Sequence, residues 1–173
     1  MENQSDAKAR AGRRHAAIRC VGGRAITPPT INRFRYPVKL AAAEEGGYVV
    51  TCRDLPELIT QGEDEQDALS QASDAMDEVF ATYMIEGTDF PEPSMAKRRE
   101  HLVAPPAETM AKAALYVAMR EAGISKTQLA KRLGVDEKEV RRLLDPHYGS
   151  KLPRIAQAVS VLGHRLVIGL EPV

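Results

Sequence analysis

Apolar positions along this chain have no period at first, then a period of two, then one near 3.6. Residues 1–32 scatter Arg10, Arg13, Arg14, Arg19 and Arg24 among Ala, Gly and Pro, and read as a disordered basic extension. Phe34, Tyr36, Val38 and Leu40 then alternate with Arg35, Pro37 and Lys39, which predicts a strand with one buried face. Pro37 lacks a backbone donor, so this strand is expected at a sheet edge. Residues 44–47 (EEGG) form a turn, 48–52 a second, antiparallel strand, 54–56 another turn and 58–60 a short third strand. Leu69, Ala72, Met76, Val79, Phe80 and Tyr83 recur at helical spacing. Asp64 is placed to cap that helix, Asp67 to favour its dipole and Gly87 to end it. A further strand is expected near 101–103, completing a small β-β-β-α-β domain of the α+β class.

Pro91, Pro93, Pro105 and Pro106 punctuate the connection out of this domain. A helix over 110–121 shows Ala114, Leu115, Ala118 and Met119 on one face. Next come two short helices, each with its own start signal: Ser125 with Gln128, and Asp136 with Glu139. Gly134 sits where the first must stop. Leu129, Ala130, Leu133, Val135, Val140 and Leu143 point inward, and the small Ala130 permits a close crossing. Two capped helices around a Gly turn follow the helix-turn-helix plan, whose second helix enters the DNA major groove. A last helix is expected over 151–162, and a strand over 165–170. A lone strand must pair with another chain or with an earlier strand, which hints at dimerisation.

Composition excludes several classes. No apolar run approaches membrane-spanning length, and the basic N-terminus has no apolar segment of the secretory type. Cys20 and Cys52 form no metal-ligand spacing, which suits a reducing cytoplasm. Formal net charge is zero but unevenly spread. Residues 41–95 hold fourteen Asp/Glu and one Lys/Arg, a net of −13; residues 112–165 hold eleven Lys/Arg and five Asp/Glu, a net of +6. Two modules with partners of opposite charge are implied. The extension is open to three readings: an arm on nucleic-acid phosphate, an inert tail, or sequence upstream of the true start.

No catalytic constellation emerges. The four histidines stand without a nucleophile at a supporting spacing, there is no glycine-rich phosphate loop, and Asp54, Glu57, Asp64 and Asp67 are explained by turns and caps rather than by a metal. Binding chemistry is clearer. Glu137, Lys138, Arg141 and Arg142 point away from the inward set; Arg141 suits a guanine edge, Lys138 and Arg142 suit phosphate, and Glu137 suits a cytosine amino group or else repels. Lys126 and Thr127 open the preceding helix, where backbone N–H groups favour phosphate.

Several stretches resemble a known family. Tyr36-Pro37-Val38, Glu45-Gly46-Gly47-Tyr48-Val49-Val50, Asp54-Leu55-Pro56-Glu57-Leu58, Thr60-Gln61-Gly62 and the helix carrying Ala68-Leu69 resemble the N-terminal domain of HicB-type antitoxins. Leu115-Tyr116, Met119-Arg120, Gly123-Ile124-Ser125-Lys126, Arg142-Leu143-Leu144-Asp145-Pro146, His147 and Gly149 resemble the helix-turn-helix version of that family. The likeness covers about 33–170. It implies a partial ribonuclease-H-like domain without nuclease carboxylates over 33–104, a DNA-binding domain over 105–173, and no cofactor. It also implies a small basic HicA-type toxin that cleaves mRNA as partner, repression of the shared operon through operator DNA, and a dimer or tetramer. Glu44, Glu45 and Asp54, in loops beside the sheet, are the expected toxin contacts. Two alternatives remain open: a stand-alone regulator whose N-terminal domain senses a ligand, and a ribonuclease-H-like nuclease.

Overall fold

The computed structural model describes residues 33–169, so the extension over 1–32 lies outside the described residues. Chain order is β1 (Tyr36–Ala42), β2 (Tyr48–Cys52), β3 (Ile59–Gly62), α1 (Glu65–Glu86), β4 (Glu100–Val103), α2 (Ala107–Glu121), α3 (Lys126–Leu133), α4 (Glu137–Leu144) and α5 (Leu152–Ser160). The strands form one antiparallel sheet in the order β3-β2-β1-β4. The class is α+β, with the expected β-β-β-α-β order ahead of the helices.

β1 is central, which corrects the edge position inferred from Pro37. Pro37 pairs with Leu102 of β4, while pairing with β2 begins only at Val38↔Cys52. At position 37 the strand therefore has a neighbour on one side alone, and a residue without N–H is tolerated there. Tyr36, Val38, Val50 and Cys52 turn one face inward, where they bury Ala68, Ala72, Met76 and Phe80 of α1. Burial pushes the free Cys52 thiol upward. α1 starts as expected: Asp64 accepts from the Asp67 N–H at 2.9 Å, and Gly87 closes the helix at φ 75°.

A second core gathers Leu115 and Tyr116 of α2, Leu129 and Ala130 of α3, Val140, Leu143 and Leu144 of α4, and Ile155, Ala158 and Val159 of α5. Phe90 packs against both cores, its ring 4.5 Å from that of Phe80 and 5.7 Å from that of Tyr116. α2 begins three residues earlier than its apolar period suggested, because Pro106 in extended backbone (ψ 149°) is itself the N-cap. β3 runs to Gly62 rather than starting at Leu58, which is instead a buried loop residue. The expected strand over 165–170 is not found among the described residues: 165–169 carry no strand, Leu166 packs on the second core, and Val167 and Ile168 stay exposed. Among the described residues this segment pairs with neither edge strand, β3 or β4. No helix among the described residues is long and apolar enough to cross a membrane.

Candidate functional site

The α3–turn–α4 unit is built by its caps. Ser125 Oγ accepts from the Gln128 N–H at 3.2 Å, and Gln128 Oε1 accepts from the Ser125 N–H at 2.7 Å, a reciprocal pair that satisfies two N-terminal donors. Gly134 ends α3 at φ 67°, a left-handed conformation that a side chain would strain. Asp136 Oδ1 accepts from the Glu139 N–H at 2.7 Å and starts α4. This capping fixes which side of α4 faces out, because Val140, Leu143 and Leu144 are drawn into the core.

Lys126, Thr127, Lys138, Arg141 and Arg142 are exposed and Glu137 is half-buried, so these six residues are surface groups of the two helices. Glu137 and Thr127 meet across the turn: Thr127 Oγ1 donates to Glu137 Oε2 at 2.7 Å. Arg141, one turn further along α4, donates to Glu137 Oε1 from Nε at 3.1 Å and from Nη2 at 2.5 Å. The Thr127 hydroxyl, then the Arg141 guanidinium, hold the Glu137 carboxyl below the usual carboxylate range. The Arg142 guanidinium lies 5.5 Å from the centre of the Tyr148 ring, and Glu139 pairs with Arg154 of α5.

The loop after α4 is anchored by a residue that sequence reasoning passed over. Lys112 of α2 is only 1% exposed. Its Nζ donates to the carbonyls of Asp145 and Pro146 at 3.0 Å each, and to that of Tyr148. It also lies 3.2 Å from Glu108, one turn away, whose carboxylate accepts from the Ser150 N–H at 2.9 Å. A buried ammonium needs such partners to be tolerated. Only its fit to the interior of α2, out of step with the solvated cations around it, could have marked it.

In the sheet domain, Glu44 and Glu45 are exposed on the β1–β2 turn, which Gly46 and Gly47 close with positive φ. Asp54 differs. Its carboxylate accepts from the Ser94 N–H at 2.9 Å and from Ser94 Oγ at 2.8 Å, and Arg53 beside it reaches Ser94, Met95 O and Glu100. Arg53, with the Lys97 N–H, holds the Glu100 carboxyl below the usual range. This network straps the proline-rich segment 91–97 across the end of β2. Glu57, expected only as a turn residue, and Glu78, which the sequence did not single out, line a shallow recess with Val79, Thr82 and Tyr83. The Tyr83 hydroxyl donates to Glu57 at 3.1 Å. Among the described residues no three His, Cys, Asp or Glu side chains come together as a metal site. Asp64 and Asp67 are occupied as caps.

Residues 35–114 match the family described as HicB_like antitoxin of bacterial toxin-antitoxin system. Antitoxin HicB 1 of Photorhabdus laumondii subsp. laumondii is 33% identical over 82% of this chain and 90% of its own length. Antitoxin HicB of Escherichia coli K12 is 35% identical over 77% of this chain and 96% of its own. Antitoxin HicB of Pseudomonas fluorescens is 33% identical over 80% and 94%. The likeness to these relatives spans 133 to 141 residues, well beyond the family match alone, and with it this chain belongs to the HicB-like antitoxin family of bacterial toxin–antitoxin systems.

Proposed function

We propose that this antitoxin neutralises a HicA-type toxin, a small basic mRNA-cleaving ribonuclease, through its acidic sheet domain, and represses its own operon through α3 and α4. The observation that carries this reading is the division of charge over the fold. Residues 33–104, which carry the sheet and α1, hold fifteen Asp/Glu and seven Lys/Arg, a net of −8, whereas residues 105–169, which carry α2 to α5, hold eleven Lys/Arg and six Asp/Glu, a net of +5. A basic RNA-cutting protein complements the first and DNA phosphate the second. Exposed Glu44 and Glu45 are available to a basic partner; Asp54 would contribute only by holding the loop that borders its strand. On α4, Lys138 and Arg142 serve phosphate and Arg141 a base edge, with Lys126 and Thr127 at the start of α3. The protein works in the cytoplasm as a homodimer or tetramer, so that paired α4 helices read two half-sites of a helix-turn-helix operator. In this reading it is a binding protein and not an enzyme.

Co-expression tests the first half. A short gene for a basic protein beside this one should arrest growth alone and be relieved by this chain; arrest without relief overturns the reading. Binding to the DNA upstream of the pair, followed by footprinting as salt is raised, tests the second half. Protection should be sequence-specific, and affinity should fall steeply with salt.

A further inference from the structure

Resting on the operator-binding reading, we infer that Glu137, held by Thr127, is a positioning residue that sets Arg141 for base recognition. A carboxylate near the entering end of a recognition helix would ordinarily be a liability, since it repels phosphate. Here both of its oxygens are occupied from two helices. Oε2 takes the Thr127 hydroxyl of α3, and Oε1 takes the Nε and Nη2 hydrogens of Arg141 on α4. Thr127 thus fixes Glu137, and Glu137 fixes one edge of the guanidinium. Arg141 is otherwise solvent-facing, with 65% of its side chain exposed. Nη1 and the second Nη2 hydrogen, the far edge of the fork, make no other hydrogen bond among the described residues. That edge carries the two parallel donors that match guanine O6 and N7.

The arrangement has two consequences for recognition. A free arginine side chain loses rotamer freedom when it docks; one already ordered loses less, and its geometry admits fewer wrong bases. The carboxylate also offsets part of the arginine's charge, so contact with phosphate at arbitrary sequence is weakened relative to a directional contact with a base. Glu137 therefore raises the ratio of specific to non-specific affinity rather than affinity itself.

The test measures dissociation constants for the full chain on its operator fragment, on the same fragment with single G·C pairs replaced, and on unrelated DNA. Arg141→Ala should lower the operator preference roughly tenfold and remove discrimination at one G·C pair. Glu137→Ala should lose most of the same preference, at the same base pair, while binding unrelated DNA as well as or better than the wild type. Glu137→Gln keeps an acceptor for Arg141 and should recover part of the preference, and Thr127→Val should lose part of it. The double variant Glu137→Ala/Arg141→Ala should be no worse than Arg141→Ala alone. Glu137→Ala binding operator and unrelated DNA more tightly by one common factor overturns the inference, since the carboxylate would then only repel. So do independent, additive losses in the double variant. A wild-type chain with no operator preference at all would instead sink the DNA reading, and this inference with it. Thermal unfolding of each variant separates these effects from misfolding.

Discussion

Gly62, the last residue of β3, tests how α1 sits on the sheet. Its φ lies in an ordinary region, so the constraint on it is space. A Cβ built there would lie 2.5 Å from Ala68 Cα and 2.8 Å from the Asp67 carbonyl carbon, and closer still to the Ala68 nitrogen. All three are backbone atoms of the first turn of α1, and no side chain can rotate away. Restoring ordinary carbon–carbon separation requires a movement of about 1 Å by α1 or β3. That movement is resisted on both sides. Ala68 and Ala72 are fully buried on the sheet, and Gly47, whose own Cβ would lie 2.5 Å from the Gly62 oxygen, packs against β3 from the β1–β2 turn. Overpacking typically costs about 1–3 kcal/mol, and a clash confined to backbone belongs at the top, so Gly62→Ala should cost about 3 kcal/mol. Urea unfolding followed by far-UV circular dichroism should show a midpoint lowered by about 1.5 M, for a slope of roughly 2 kcal/mol per molar. Gly149→Ala is the control: nothing lies within 4 Å of its Cβ position, and a surface change of that kind stays within about 0.5 kcal/mol. A Gly62→Ala protein as stable as the control would refute the close approach of α1 to β3.

Lys112→Met should cost about 3 kcal/mol, because three carbonyls lose their shared donor at roughly 1 kcal/mol each, and thermal unfolding should fall by about 9 °C; a methionine variant as stable as the wild type would show that water replaces the ammonium. Ser125→Ala and Asp136→Ala should each cost about 1 kcal/mol, and their double variant about the sum, as the caps share no partner; chemical denaturation decides this. Glu108 is held below the usual carboxylate range by the Ser150 N–H first and Lys112 after it. Its folded pKa lies below the unfolded one, so its contribution is complete above about pH 4.3 and is lost as pH falls through the lowered folded value. Melting temperature against pH should therefore drop more steeply below about pH 4.3 for the wild type than for Glu108→Gln, the two running parallel at higher pH; equal acid slopes would remove the Ser150 contact from the account.

What could be read from residues alone was local. Asp64, Ser125 with Gln128, Gly134 and Asp136 were legible because a cap is a contract among residues three or four apart. The stretch 48–52, set between two turns, placed β2 to the residue. Failures lie where the deciding partner is distant. Pro37 suggested an edge strand, yet strand order depends on β4, more than 60 residues later. Asp54 had the profile of a free loop acid, while its partner Ser94 is 40 positions away. Lys112 drew no reading at all, since the carbonyls it binds come 33 to 36 residues on. Over 165–170 the apolar run promised a strand, but periodicity reports which face is apolar and not whether a ladder is present to receive it. The Glu137–Arg141 pair lay between these cases: its spacing was visible, whereas its hold on Thr127 depends on how α3 crosses α4.

The joint between the two cores bears on how one chain would serve two partners. Proline-rich residues between α1 and β4 would suit a loose tether, yet this segment is pinned. Tyr116 of α2 donates to Thr88 O at 2.9 Å, Arg120 reaches Asp89 at 2.6 Å and Gly87 O at 2.8 Å, and Ser73 of α1 donates to Ala104 O at 2.8 Å. Thr109 at the start of α2 pairs with Asp77 of α1, and Phe90 fills the space between the cores. Since α2 also holds the loop after α4 through Lys112, the helix that would read DNA is placed by the same packed elements that carry the acidic sheet. A tethered pair of domains would bind toxin and operator independently, with only a linker-dependent effective concentration between them. On the proposed function, a packed pair would set a bound toxin at one position relative to the operator, so any influence of the toxin on repression would come from that fixed placement or from breaking these contacts.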